Sequence, residues 1–374
     1  MLKPVLAGIV SALVGFAGAF AVVLAGLRGV GADEAQAASG LLAVCLTCGV
    51  CAAVLGLRTR MPVVIAWSTP GAALLATAGP PPGGFAAAVG AFAVCGLLVV
   101  LTGLVPVLSR LVAAIPAPVA GAMLAGVLLP LCLAPVRALV EVPLLAGPVV
   151  AVWALLARFA RPWAVPAALV VAVGLIVATV PVDLGGPPAL VWTAPVLDPV
   201  AIATVGVPLF LVTMAGQNVP GLAVLAQFGF RPPLRPVLVT TGLGTLAGAP
   251  FGGHAVNLAA ISAALAAGPD AGPPERRWIA AVANGVGIAV LGLGAGAATA
   301  LVLAAPPVLV QAVAGLALLG ALVAALTSAL AEPAGREAAV VTLLVTAGAG
   351  SAVWGLVAGA AITLLHRPVR ASDR

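Results

Sequence analysis

The side chains that could do chemistry in this 374-residue chain are few, and they fall in three short stretches. His254 stands in PFGGHAVNLAAISAA (residues 250–264), with Gly253 before it and Asn257 three residues after. Gln217 and Asn218 are adjacent in PLFLVTMAGQNVPG (208–221), and Trp67, Ser68, Thr69 and Pro70 are consecutive in AWSTPGAALL (66–75). The surroundings are apolar and of membrane-spanning length, where a polar group is costly and marks function by default. Carboxamides and hydroxyls can donate hydrogen bonds to an anion, and an imidazole can also carry a proton. His254 is therefore the expected proton-coupling residue. The substrate-binding set is expected to be Ser68, Thr69, Pro70, Gln217, Asn218, Gly253, His254 and Asn257, with Trp67 as an aromatic wall.

Enzymatic patterns are missing. The chain has no H-E-x-x-H, no G-x-S-x-G and no P-loop, so neither catalysis nor a cofactor is expected, and any transport must draw on gradients. Cys45, Cys48 and Cys51 have the spacing of a metal or iron-sulfur site, but they lie within an apolar helix with no fourth ligand nearby. They are read as small polarizable core residues, with no metal.

These residues need particular elements to hold them. Ser68 and Thr69 are N-cap residues and Pro70 suits a first helical position, so a half-helix is expected to start there after a short β-branched run. Pro250, Gly252 and Gly253 make poor helix interior, which predicts a second extended stretch and a second half-helix from about His254. Broken helices survive at membrane depth only where the freed backbone faces protein or a polar cavity. Two half-helix N-termini aimed at one place would favour an anion. Between them, Thr213 and Gln217 share one face at i, i+4 and Met214 and Asn218 the next, ahead of a kink expected at Pro220.

The whole chain has the composition of an all-α polytopic membrane protein. Hydrophobic residues make up 63% and charged residues 7%, and the mean hydropathy is +1.27, which a solvated surface could not accommodate. The net charge of +6 comes from single basic residues scattered between apolar runs, which excludes a nucleic-acid partner and points to topology. Fourteen apolar runs are candidate spans: 5–27, 40–57, 62–78, 85–105, 112–134, 141–157, 163–181, 203–225, 236–249, 250–267, 278–304, 306–330, 338–348 and 350–365. With the N-terminus inside, alternation puts every Lys and Arg except Arg28 and Arg137 on the cytoplasmic side, and both termini with them. Glu141 and Arg137 are read as a solvated interfacial pair, and His366 as a cytoplasmic flank. The connector from Val182 to Pro199, which carries Asp183 and Asp198, divides seven spans from seven, and an odd number per half predicts an inverted repeat. Weak similarity between Pro118-Val119 and Pro307-Val308, and between Pro62 and Pro250, agrees with it.

The three stretches above, with MLAGVLL (123–129) and REAAVVTLLVTA (336–347), resemble the benzoate/proton symporter (BenE) family along nearly the whole chain. The resemblance implies the nucleobase-transporter fold: fourteen segments in a 7+7 inverted repeat, with segments 3 and 10 broken. It also implies a core domain (1–105 and 203–304), a gate domain (106–202 and 305–374) and a homodimer through the gate. The nucleobase branch carries acidic residues in its eighth and tenth spans, where this chain has Gln217, Asn218 and Asn257. The expected function is import of benzoate or a similar aromatic carboxylate with protons across a bacterial inner membrane. The alternatives are a channel or exchanger for another small organic or inorganic anion, and a membrane sensor or scaffold that binds without transporting.

Overall fold

A computed structural model describes residues 2–113, 115–181, 187–259, 261–349 and 352–365; Asp183, His366, Arg367, Arg370 and Arg374 lie outside them. The order is α1 (Leu2–Gly29), α2 (Glu34–Thr59), β1 (Ile65–Trp67), α3 (Thr69–Ala78), α4 (Gly84–Leu104), α5 (Pro106–Ala113), α6 (Ala117–Cys132), α7 (Ala134–Glu141), α8 (Pro143–Phe159) and α9 (Ala164–Thr179). It continues with α10 (Pro199–Gln227), α11 (Leu234–Gly248), β2 (Val256–Leu258), α12 (Ile261–Ala267), α13 (Trp278–Gly292), α14 (Ala295–Ala304), α15 (Pro307–Leu330), α16 (Arg336–Ala349) and α17 (Ala352–Leu365). Among the described residues, seven helical runs are long and apolar enough to cross a membrane: α1, α2, α4, α6 with α7, α9 with its leading turn, α10 and α15. The pair α13 and α14, bent by 57°, would make an eighth. The other expected spans coincide with β1 and α3, α8, α11, β2 and α12, α16 and α17.

Local chemistry sets the helix ends. At the start of α2 the Asp33 carboxylate accepts from the Gln36 N–H at 2.8 Å while the Asp33 N–H donates to the Gln36 side-chain oxygen at 3.0 Å, a reciprocal capping box. Small residues then let the helices approach closely, as expected where lipid offers no hydrophobic drive between them. A methyl on Gly26 of α1 would meet the Ala72 carbonyl of α3 at 2.6 Å, and one on Gly49 of α2 the Gly285 carbonyl of α13 at 2.8 Å. Cys45 and Cys51 fill similar contacts against Gly292 and Gly244, and the Cys51 thiol donates to the Thr240 carbonyl at 3.4 Å.

The helices pack in two groups. One joins α1 to α3 and α13, α2 to α13 and α4 to α11; the other joins α6 to α15 and α16, α7 to α15, α8 to α9 and α16 to α17. The connector after α9 lies on the first group: the Val196 N–H donates to the Ala86 carbonyl at 3.0 Å, the Thr193 N–H to the Pro250 carbonyl at 2.7 Å and the Val191 N–H to the Ser39 hydroxyl at 2.9 Å. Arg137 and Glu141 are both exposed on α7, and no ion pair joins them among the described residues.

Within the first group β1 and β2 form a two-stranded antiparallel sheet, with Ile65 opposite Leu258, Ala66 opposite Asn257 and Trp67 opposite Val256. The pairing continues past both ends, through the Ala259 N–H to the Val64 carbonyl at 3.0 Å and the Ser68 N–H to the Ala255 carbonyl at 2.8 Å. Unwound backbone in an apolar bundle is thereby satisfied strand to strand. Because the strands run in opposite directions, α3 and α12 leave the sheet at opposite ends.

Candidate functional site

The start of α3 is built as its sequence predicts. Ser68 caps the helix, its Oγ accepting from the Gly71 N–H at 3.1 Å, and Pro70 occupies the first turn. The buried Thr213 hydroxyl of α10 donates to the same Ser68 Oγ at 2.8 Å, which fixes α10 against the cap. Thr69 is half-buried, and neither its N–H nor its hydroxyl has a partner among the described residues.

Instead of a simple kink at Pro220, α10 contains two π turns, Ile202–Gly206 and Met214–Asn218, each ending two residues before a proline, Pro208 or Pro220. A proline lacks the N–H and its ring collides with the carbonyl four residues back, here those of Thr204 and Gly216, and the wider turn takes up the misfit. The second π turn separates the two carboxamides. Asn218 is fully buried, its Oδ1 accepting from the Leu258 N–H at 3.0 Å and its Nδ2 donating to the Met214 sulfur at 3.2 Å. Gln217 is half-buried, and its carboxamide has no partner among the described residues.

The stretch around His254 departs from expectation. No helix begins at His254; Ala249–Phe251 forms a 3-10 turn, Gly252 turns the chain at a φ of +83°, β2 follows, and α12 starts only at Ile261. Long-range bonds hold it extended: the Val256 N–H donates to Thr245 Oγ1 of α11 at 2.9 Å and the Leu258 N–H to Asn218. His254 therefore sits on extended backbone, fully buried, with its ring edge-on to Phe92 at 6.5 Å. Neither ring nitrogen has a hydrogen-bond partner among the described residues, the adjoining Ala255 backbone falling outside hydrogen-bond geometry. The register brings it level with the start of α3, since its neighbour Ala255 accepts from Ser68.

Three more expected site residues are engaged locally. The Gly253 N–H donates to the Gly248 carbonyl at 2.9 Å. The Asn257 carboxamide, oriented to satisfy both its ends, accepts from the Ser68 N–H at 2.9 Å and donates to the Leu258 carbonyl at 2.7 Å, bracing the sheet. Trp67 is 2% exposed and packs edge-on against Phe16 of α1 at 5.9 Å. Side chains alternate along a strand, so Ala66, not Trp67, faces the half-open side. Thr213 and Thr245 emerge as supports; the first shared a helical face with Gln217 in the sequence, while nothing local to Thr245 announces its role.

Half-helices leaving a buried antiparallel strand pair, beside a π-turned helix whose Gln217 carboxamide has no partner among the described residues, give the broken-helix architecture that membrane transporters use. The profile of the benzoate membrane transport protein family, BenE, matches residues 1–365. The inner membrane protein YdcO of Escherichia coli (strain K12) is 39% identical over 365 residues, covering 95% of this chain and 93% of that protein. The benzoate membrane transport protein of Acinetobacter baylyi (strain ATCC 33305 / BD413 / ADP1) is 30% identical over 372 residues, covering 96% and 93%. The transmembrane domain of a cyanobacterium bicarbonate transporter, BicA, has a similar fold, with a TM-score of 0.64 at 16% identity over 96% of this chain and 98% of that one. The chain belongs to the BenE family.

Proposed function

We propose that the chain is a secondary transporter that imports an aromatic carboxylate, benzoate first among them, together with a proton. The observation that carries this reading is Gln217, a half-buried donor without a partner among the described residues, next to the start of α3 where Thr69 also has a free N–H. A carboxylate seated there would gain charge-assisted hydrogen bonds and the positive end of the α3 dipole. The family and the names of its relatives supply the substrate class. Ser68, Pro70, Asn218, Gly253 and Asn257 act in this reading by shaping the backbone around the ligand, and Trp67 by packing behind it.

His254 is the proposed proton carrier. It is buried, its two nitrogens have no partner among the described residues, and it lies at the level of Ser68. Binding of the anion and binding of the proton then reinforce each other, and by linkage each must tighten the other by the same factor. The neutral pair is also the form that crosses an apolar environment at least cost. In the same reading the fourteen segments form two inverted halves with both termini cytoplasmic, the first group of helices is the moving core, the second is the gate, and two gates meet in a homodimer.

Labelled benzoate uptake into proteoliposomes tests this, at pH values well above benzoic acid's own titration, with uracil and sulfate as competitors. The expected result is accumulation when the lumen is more alkaline, with no competition from either compound. In the same vesicles His254→Gln should lose the response to the gradient. Uptake that ignores the gradient in the parent contradicts symport, and unimpaired gradient-driven accumulation by His254→Gln moves the proton elsewhere.

A further inference from the structure

Next to Gln217 the π turn carries a glycine in a crowded place. A methyl group built on Gly216 would stand 3.3 Å from Cδ1 and 3.4 Å from Cδ2 of Leu124, and 3.3 Å from Cγ of Pro70. Leu124 belongs to α6 and Pro70 to the first turn of α3, so a side chain from the second group of helices reaches the point where two elements of the first group meet. The first group offers small or polar half-buried residues on the adjoining turns of α3 and α10: Thr69, Ala215, Gly216 and Gln217. Leu124 is also half-buried, whereas its neighbours Met123 and Ala125 are fully buried.

An aromatic carboxylate has two unlike ends. Hydrogen-bond donors serve the carboxylate, but the ring must leave water against apolar surface to contribute to binding. We infer that Leu124 covers the substrate's ring and sets the upper limit on its size, and that Gly216 lacks a side chain so that α6 can come this close. The inference rests on the aromatic-carboxylate reading above and adds to it the residue that selects among such acids. Shortening Leu124 removes apolar bulk at the far end of the ring and makes room for a second fused ring. One methylene of fit in an apolar pocket changes discrimination by about tenfold or more, so the removal of several carbon atoms should be plainly visible.

The test compares kcat/KM for 2-naphthoate and benzoate in proteoliposomes of the parent, Leu124→Ala, Leu124→Val and Leu129→Ala. The last removes the same volume five residues further along α6. The expected naphthoate-to-benzoate ratio rises about tenfold or more in Leu124→Ala, less in Leu124→Val, and stays at the parent value in Leu129→Ala. If Leu124→Ala does not fold, the milder Leu124→Val carries the comparison. A ratio unmoved in Leu124 variants that still take up benzoate, or an equal rise in Leu129→Ala, overturns the inference while leaving the functional reading intact. A parent protein that neither binds nor takes up benzoate overturns the functional reading itself, and this inference with it.

Discussion

The two broken segments look alike in outline but are stabilised in different ways. The β1 and α3 segment carries its own instructions: Ser68 caps the helix it precedes, Pro70 sets the first turn, and helix begins one residue after the cap. The β2 and α12 segment borrows them. Its strand N–H groups are taken by Thr245 of α11 and Asn218 of α10, and the Ala267 carbonyl at the far end of α12 accepts from Arg277 at 2.7 Å. One half of the site is thus locally encoded, and the other exists only once the bundle has assembled around it.

This contrast can be broken most forcefully at the borrowed strand. Asn218→Ala removes the acceptor of a buried N–H, and Thr245→Val does the same at Val256; each should cost about 1–3 kcal/mol, the penalty for an unsatisfied buried donor. Thermal unfolding of the purified protein in detergent reads the loss. A change within a few tenths of a kcal/mol in both variants would mean that the strand does not depend on its neighbours. Next in size is Ser68→Ala, expected to cost about 1 kcal/mol as a lost N-cap, with the effect in hydrogen exchange confined to α3 and the turn of α10 whose Thr213 hydroxyl loses its acceptor. Protection lost equally from β2 would erase the distinction between the segments. The smallest effect is expected at Arg277→Gln, which loosens the end of α12; a charge at a helix C-terminus contributes about 0.3–1 kcal/mol, and added salt should diminish the difference.

The same contrast explains what could be read from the residues beforehand. Fourteen apolar runs, the S-T-P signature of α3 and the break ahead of β2 follow from composition, capping preference and proline chemistry. The length of that break does not. Gly252 and Gly253 mark where helix must fail, but Val256, Asn257 and Leu258 stay extended because of partners on α10, α11 and β1 that are distant in sequence, so the helix locally expected from His254 does not form. The carboxamides show a similar limit. An α-helical wheel assigns Gln217 and Asn218 to adjacent faces, yet only the π turn makes one a buried brace and leaves the other open. Trp67 shows a simpler limit: residue type does not say which face of the strand it takes, and the strand turns it toward Phe16 of α1.

The central claim is that Gln217 is held open for a carboxylate and contributes nothing to the fold, and calorimetric titration of benzoate into the parent and Gln217→Ala addresses it directly. Loss of one hydrogen bond to a charged group costs about 1.5–3 kcal/mol, so the variant should bind benzoate roughly tenfold or more weakly while its unfolding transition stays within about 0.5 kcal/mol of the parent. Unchanged affinity in a fully folded Gln217→Ala would contradict the account and put the carboxylate elsewhere in the bundle.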